Sequence, residues 1–118
     1  VFYLDTKLVL RALGFSWKAQ VESVRETVRL LREKYDAEIG IFQETRREVQ
    51  NALSIAGRAF QKHRLIADGE LKLYCELNLS EARRLEDYAD SLDALLEREL
   101  GIKAVTAIDK DEPKVKKV

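Results

Sequence analysis

Two short β-prone runs stand on either side of a long helical pattern, and that spacing limits how they can pair. The first is residues 1–4, Val-Phe-Tyr-Leu, ended abruptly by Asp5. The second is residues 37–42, Ala-Glu-Ile-Gly-Ile-Phe. A tight hairpin cannot join strands this far apart, so a helical connection implies parallel pairing through a right-handed crossover. Between them, Val21, Val24, Val28, Leu31 and Tyr35 recur at intervals of three and four, one apolar helical stripe. Ser16 is the expected N-cap of that helix. Residues 6–13 are expected to form a turn and a short helix closed by Gly14.

The second half repeats the logic. Thr45-Arg46-Arg47-Glu48 fits a capping box opening a helix with Val49, Ala52, Leu53, Ala56, Ala59 and Phe60 on its apolar face. Gly57 costs such a helix about 1 kcal/mol relative to alanine, and close packing would explain it. Asp68-Gly69 breaks the pattern, and Leu71, Leu73, Tyr74 and Leu77 indicate a short helix beyond it. One long helix is expected from Ser80, with Ala82, Leu85, Tyr88, Ala89, Leu92, Leu95 and Leu96 as its stripe and Gly101 as its C′ residue. Residues 102–108 alternate and read as a third strand. The expected fold is α/β, a full or partial three-layer arrangement with a short parallel sheet of about three strands and four to five helices. Residues 1–109 form one domain and residues 110–118 a solvated tail. An apolar pattern that begins at the first residue suggests a piece of a longer polypeptide.

Composition excludes several classes. With 46% hydrophobic and 36% charged residues the chain is globular rather than disordered. No apolar run approaches the roughly 20 residues of a membrane span, and Asp5 and Lys7 interrupt the first run as no signal peptide would. Equal numbers of acidic and basic side chains, 21 each, argue against a dedicated duplex-DNA or membrane-surface binder. Cys75 has no second cysteine to pair with and falls in an apolar stretch, so a buried thiol in a reducing, cytoplasmic compartment is expected. Phosphate-binding glycine motifs are absent.

Function in open α/β sheets gathers at the carboxyl ends of the strands, and each expected strand ends near an acid. Asp5 follows the first. Glu44 and Glu48 follow the second, and Asp109 follows the third. Carboxylates brought together from separate strand ends repel one another unless a cation neutralises them, and such oxygen ligands suit Mg²⁺ or Mn²⁺. Each acid also has a plainer reading. Asp5 can cap the turn after it, Glu48 can complete the capping box, and Glu44 and Asp109 can be solvated charges. His63, among Gln61, Lys62 and Arg64, reads as a surface residue.

Residues 2–10, Phe-Tyr-Leu-Asp-Thr-Lys-Leu-Val-Leu, resemble the opening of PIN-like nuclease domains, and residues 39–49 resemble that family's second strand, polar turn and acid-bearing helix. The resemblance covers roughly residues 1–53. It implies a metal-dependent ribonuclease that cleaves RNA phosphodiesters, with Asp5 and Glu48 as the catalytic ligands of a Mg²⁺ or Mn²⁺ ion. Lys7 stands where the family often has asparagine. Asp93 lies in a segment resembling the one that carries a further acid. In a continuous helix from Ser80, however, it would sit about 20 Å along, at the wrong end of the sheet. The alternative function is a non-catalytic α/β interaction domain, with Leu85, Leu92 and Leu96 partly exposed for a partner, a second copy or the missing portion of the same protein covering a sheet edge. A phosphotransferase with an aspartyl nucleophile is set aside, because its second aspartate would fall at Lys7.

Overall fold

The computed structural model describes residues 1–102. The expected third strand, Asp109 and the tail lie, from residue 103 onward, outside the described residues.

Two strands form, β1 (Phe2–Tyr3) and β2 (Ile39–Gly40), paired in parallel with Phe2 opposite Ile39 and Tyr3 opposite Gly40. Between them run α1 (Thr6–Ala12) and α2 (Lys18–Tyr35). After β2 come α3 (Gln43–Gln61), α4 (Glu70–Leu77), α5 (Leu79–Ala82), α6 (Leu85–Asp90) and α7 (Leu92–Leu100). The parallel pairing agrees with the spacing argument. The three-layer α/β expectation does not hold: among the described residues the protein is mostly helical, with seven helices and one two-stranded sheet. Each strand has only two residues, too few for the sheet to form a layer. Ile41 leaves the ladder and Phe42 becomes the residue that starts α3.

The helices therefore pack mainly on one another. The core gathers Val9 and Ala12 of α1, Val24 and Val28 of α2, Val49, Leu53 and Ala56 of α3, and Leu85, Ala89, Leu92 and Leu96 from the last two helices. Tyr3 stacks on Phe42 at 4.6 Å between ring centres, closing the small sheet against the start of α3. Gly40 lies beneath the Tyr3 ring, where a methyl group would come within 3.1 Å of it.

The single long C-terminal helix is the second correction. It breaks at Arg83 and Arg84 and again at Ser91. The apolar stripe survives the breaks, and its middle piece, α6, is the one that packs closely on α3. Gly101 ends α7 in the left-handed conformation at φ 64°, as its position implied. Two cap assignments change. Ser16 does not cap α2, which starts after Trp17 with no side-chain cap; its hydroxyl instead donates to Glu70 at 2.7 Å. Thr45 does not open α3 either, because the helix has already begun at Gln43 and Thr45 is buried within it. Tyr35, assigned to the apolar face of α2, is 71% exposed.

Candidate functional site

The parallel ladder sends both strands out at the same edge, and the chain turns there into α1 and α3. Asp5 is the first residue beyond β1 to carry a charge. Its backbone is extended and its Oδ1 accepts from the Leu8 amide at 2.9 Å, which satisfies one of the otherwise unpaired donors of the first turn of α1. The capping role and the site role are compatible, because only one of the two carboxylate oxygens is used.

Glu48 comes to the same place. One turn into α3, its Oε2 accepts from the Thr6 hydroxyl at 2.7 Å. Thr6 is the residue after Asp5, so this bond ties the turn after β1 to the helix after β2 across 42 positions of sequence. The capping-box reading of Glu48 fails, since its carboxylate meets a side chain of α1 and the residue capping α3 is Phe42. Glu48 is exposed, Asp5 and Glu44 partly so. Glu44 lies in the first turn of α3, where the unpaired amides at a helix start favour an acid. Of the four acids expected at strand ends, the fold brings Asp5, Glu44 and Glu48 to this edge, and Asp109 lies outside the described residues.

Asp93 is the residue that the sequence reading misplaced. Since the C-terminal run is broken at Ser91, Asp93 is in the first turn of α7 instead of midway along a rod. The Arg46 guanidinium holds it in a forked pair, Nε to Oδ1 at 2.6 Å and Nη2 to Oδ2 at 3.1 Å. Arg46 belongs to the first turn of α3, so Asp93 is drawn to the start of the helix that carries Glu48. Both its oxygens are engaged by Arg46. No periodicity argument could have found this pair, because it depends on where the C-terminal run breaks. The Thr6–Glu48 bond was closer to legible, because a threonine directly after a strand-end acid is a short donor placed at the strand edge.

Among the described residues no group of three or more acid, histidine or cysteine side chains is positioned to hold a metal ion. The donor set available here is Asp5 and Glu48, each with one carboxylate oxygen outside the bonds just named. Mg²⁺ keeps several of its waters and takes one or two carboxylates.

Other polar groups in the core serve the fold. Glu70 accepts from Arg11 at 2.8 Å and from Ser16 at 2.7 Å, and the Arg11 bond holds its carboxyl below the usual range. Burial pushes the Tyr74 hydroxyl up to about 12, with the Glu81 carboxylate adding to the effect. Tyr88 donates to Glu81. Cys75 is buried with a free thiol, and burial raises its pKa, which makes it a packing residue and a poor nucleophile. His63 is exposed just past the end of α3. No described helix is long and apolar enough to cross a membrane.

Comparison with known proteins adds no relative: no family model, no curated protein and no solved structure matches this chain.

Proposed function

We propose that this chain is a divalent-cation-dependent ribonuclease of the PIN-like kind, with Asp5 and Glu48 as the ligands of Mg²⁺ or Mn²⁺ and RNA phosphodiesters as the substrate. The observation that carries this reading is the Thr6–Glu48 hydrogen bond of 2.7 Å, which couples the acid-bearing turn after β1 to the acid-bearing helix after β2. When bound, the ion would supply an activated water and charge stabilisation for the phosphate oxygens. The chain's own residues do the positioning. The Leu8 amide fixes the Asp5 carboxylate, and the Thr6 hydroxyl fixes that of Glu48. Arg46 keeps Asp93, a third acid, paired and so removes one negative charge from the edge at which RNA would approach.

Cleavage of a labelled RNA in Mn²⁺ or Mg²⁺, wild type against Asp5→Asn, tests the proposal. Asparagine caps a helix about as well as aspartate, so the substitution removes the charge and keeps α1. Cleavage by the wild type alone supports the assignment, and equal cleavage by both rejects it. A reducing, cytoplasmic setting suits the free buried thiol of Cys75.

The rival reading, a non-catalytic interaction domain, loses the surface first considered for it. Leu85, Leu92 and Leu96 are all 2% exposed or less, packed inside the chain's own core. Association with a partner or a second copy would have to use another face, and light scattering of the purified chain measures it directly.

A further inference from the structure

We propose that single-stranded RNA lies along the exposed face of α3, from the candidate site at Glu48 to a basic cluster at the other end of the helix. That the polyanion is RNA rests on the proposed function; the track rests on where the charges lie. Between Glu48 and Asp68 the sequence carries no acid, although the whole chain has as many acids as bases. Arg47, Asn51, Ile55, Arg58 and Lys62 recur at intervals of three and four, so they form one stripe along the helix, and all five are exposed. Glu48 stands beside the start of that stripe.

At its far end the stripe meets a second source of positive charge. The Gln61 side-chain amide donates to the Arg83 carbonyl at 3.4 Å, which brings the turn between α5 and α6 against the end of α3. Arg83 and Arg84 thereby join Lys62 and Arg64, and all four are exposed. Lys62, Arg64 and Arg83 form no ion pair among the described residues, and Arg84 lies over the Tyr88 ring at 5.2 Å. The acids on the neighbouring helices are Glu81, engaged by Tyr88, Glu86, 3.9 Å from Arg58, and Asp87 in the first turn of α6. Asp90 lies further back, next to the Ala89 carbonyl that accepts from Gln50. At this end Arg58 and the four exposed cations therefore outnumber Glu81, Glu86 and Asp87. The negative end of a helix attracts a cation, which accounts for Lys62, whereas Arg83 and Arg84 arrive from a separate segment. His63 closes α3 at φ 55°, and the Arg64 amide returns to the Ala59 carbonyl at 2.7 Å, which fixes the backbone that carries Lys62 and Arg64. From Glu48 to Lys62 is roughly 21 Å of helix, the length of about six nucleotides at 3.4 Å each. The stripe leads to the edge that holds Asp5 and Glu48, where a polyanion is tolerated only beside a bound cation. That continuity favours the substrate of the site over an acidic peptide.

The experiment is fluorescence anisotropy of a labelled uridine 12-mer and 3-mer with the full chain in EDTA, so that binding is read without cleavage. Expected are saturable binding of the 12-mer and much weaker binding of the 3-mer. Lys62→Gln combined with Arg64→Gln should weaken the 12-mer about 2- to 30-fold, the range for two exposed charge contacts. The same pair should flatten the slope of log affinity against log salt by about 1.4, and Arg83→Gln alone by about 0.7. Lys18→Gln combined with Lys34→Gln, two exposed cations of α2, should leave the affinity unchanged. The proposal is overturned if the 12-mer does not bind, if the 3-mer matches it, or if the α2 pair weakens binding as much as the α3 pair. Displacement of the 12-mer by polyglutamate of equal charge at the same concentration overturns the assignment to RNA. The two proposals fail separately. Cleavage in Mn²⁺ of an RNA whose affinity ignores Lys62 and Arg64 rejects the track and keeps the site. Binding that depends on them, without cleavage in either metal, supports the track and rejects the ribonuclease.

Discussion

The two ends of α3 are built on different physics. Towards its C-terminus the helix is pressed against α6. A methyl group on Gly57 would lie 2.9 Å from the Glu86 backbone nitrogen and 3.1 Å from Leu85 Cβ, so glycine is what lets the two helices come this close. Leu53 and Ala56 beside it are buried, as are Leu85 and Ala89 on the facing helix. At the N-terminal end, several contacts reaching other elements are polar and partly in water: Glu48 to Thr6, and Arg46 to Asp93. Apolar burial is strong and undirected, whereas exposed polar bonds are weak but fix direction. One helix thus anchors the fold at one end and aims side chains at the other. Changes at the aiming end should cost little stability, which leaves that end free to carry charge for chemistry.

Substitutions can break or sharpen this contrast. The largest effect is expected from Leu85→Ala, which empties a fully buried position against α3. A loss of about 2–5 kcal/mol is predicted, read from urea denaturation. Gly57→Ala should follow. Overpacking against Glu86 and Leu85 costs about 1–3 kcal/mol, and the better helix propensity of alanine returns up to about 1 kcal/mol of it. If Gly57→Ala proves stabilising, α6 gives way more easily than its backbone contact implies, and the contrast weakens. At the polar margin, Asp5→Ala should lose about 0.5–2 kcal/mol through the missing cap, while Asp5→Asn stays close to the wild type. Arg46→Gln should cost least, about 0.2–1 kcal/mol, because its partner Asp93 is half in water.

Acid titration offers a check outside α3. Glu70 has its folded-state pKa lowered, first by the bond from Arg11. A depressed carboxyl contributes stability that is fully present above the unfolded value, near 4.3 for glutamate. That contribution is lost as pH falls from there through the folded value. Stability measured against pH should therefore decline below about pH 4.3 by more in the wild type than in Glu70→Gln. Parallel curves would mean that the Arg11–Glu70 bond is not retained in solution.

What the sequence made legible was local and periodic. The parallel order of the two runs, the apolar faces of α2 and α3, the break at Asp68-Gly69, the buried Cys75 and the left-handed Gly101 all follow from spacing or residue type. Asp5 at a strand end was legible for the same reason. The size of the sheet was not. Residues 37–42 read as one strand, weakened at Gly40, yet Phe42 is claimed by the start of α3 and its ring by Tyr3. The breaks at Arg83, Arg84 and Ser91 were hidden because the apolar spacing runs straight through them. That one omission also displaced Asp93, since the position of every later side chain depends on where the rod ends. Ser16 and Thr45 show the same limit. Each was a reasonable cap by type, but helix starts elsewhere and the neighbours Glu70 and the core decided their roles.

The segmentation of the C-terminal run bears on how the chain assembles. Helices of four, six and nine residues fall well below the roughly 12–15 residues at which an isolated helix begins to hold in water. They have no means of forming ahead of the surface they rest on, whereas α3, with 19 residues, can populate turns by itself. Its apolar side carries the packing surface of α6, the middle one of the three, so α6 is expected to form with it. Amide hydrogen exchange should register this dependence: protection in α6 should vanish together with that of residues 49–57 and never outlast it.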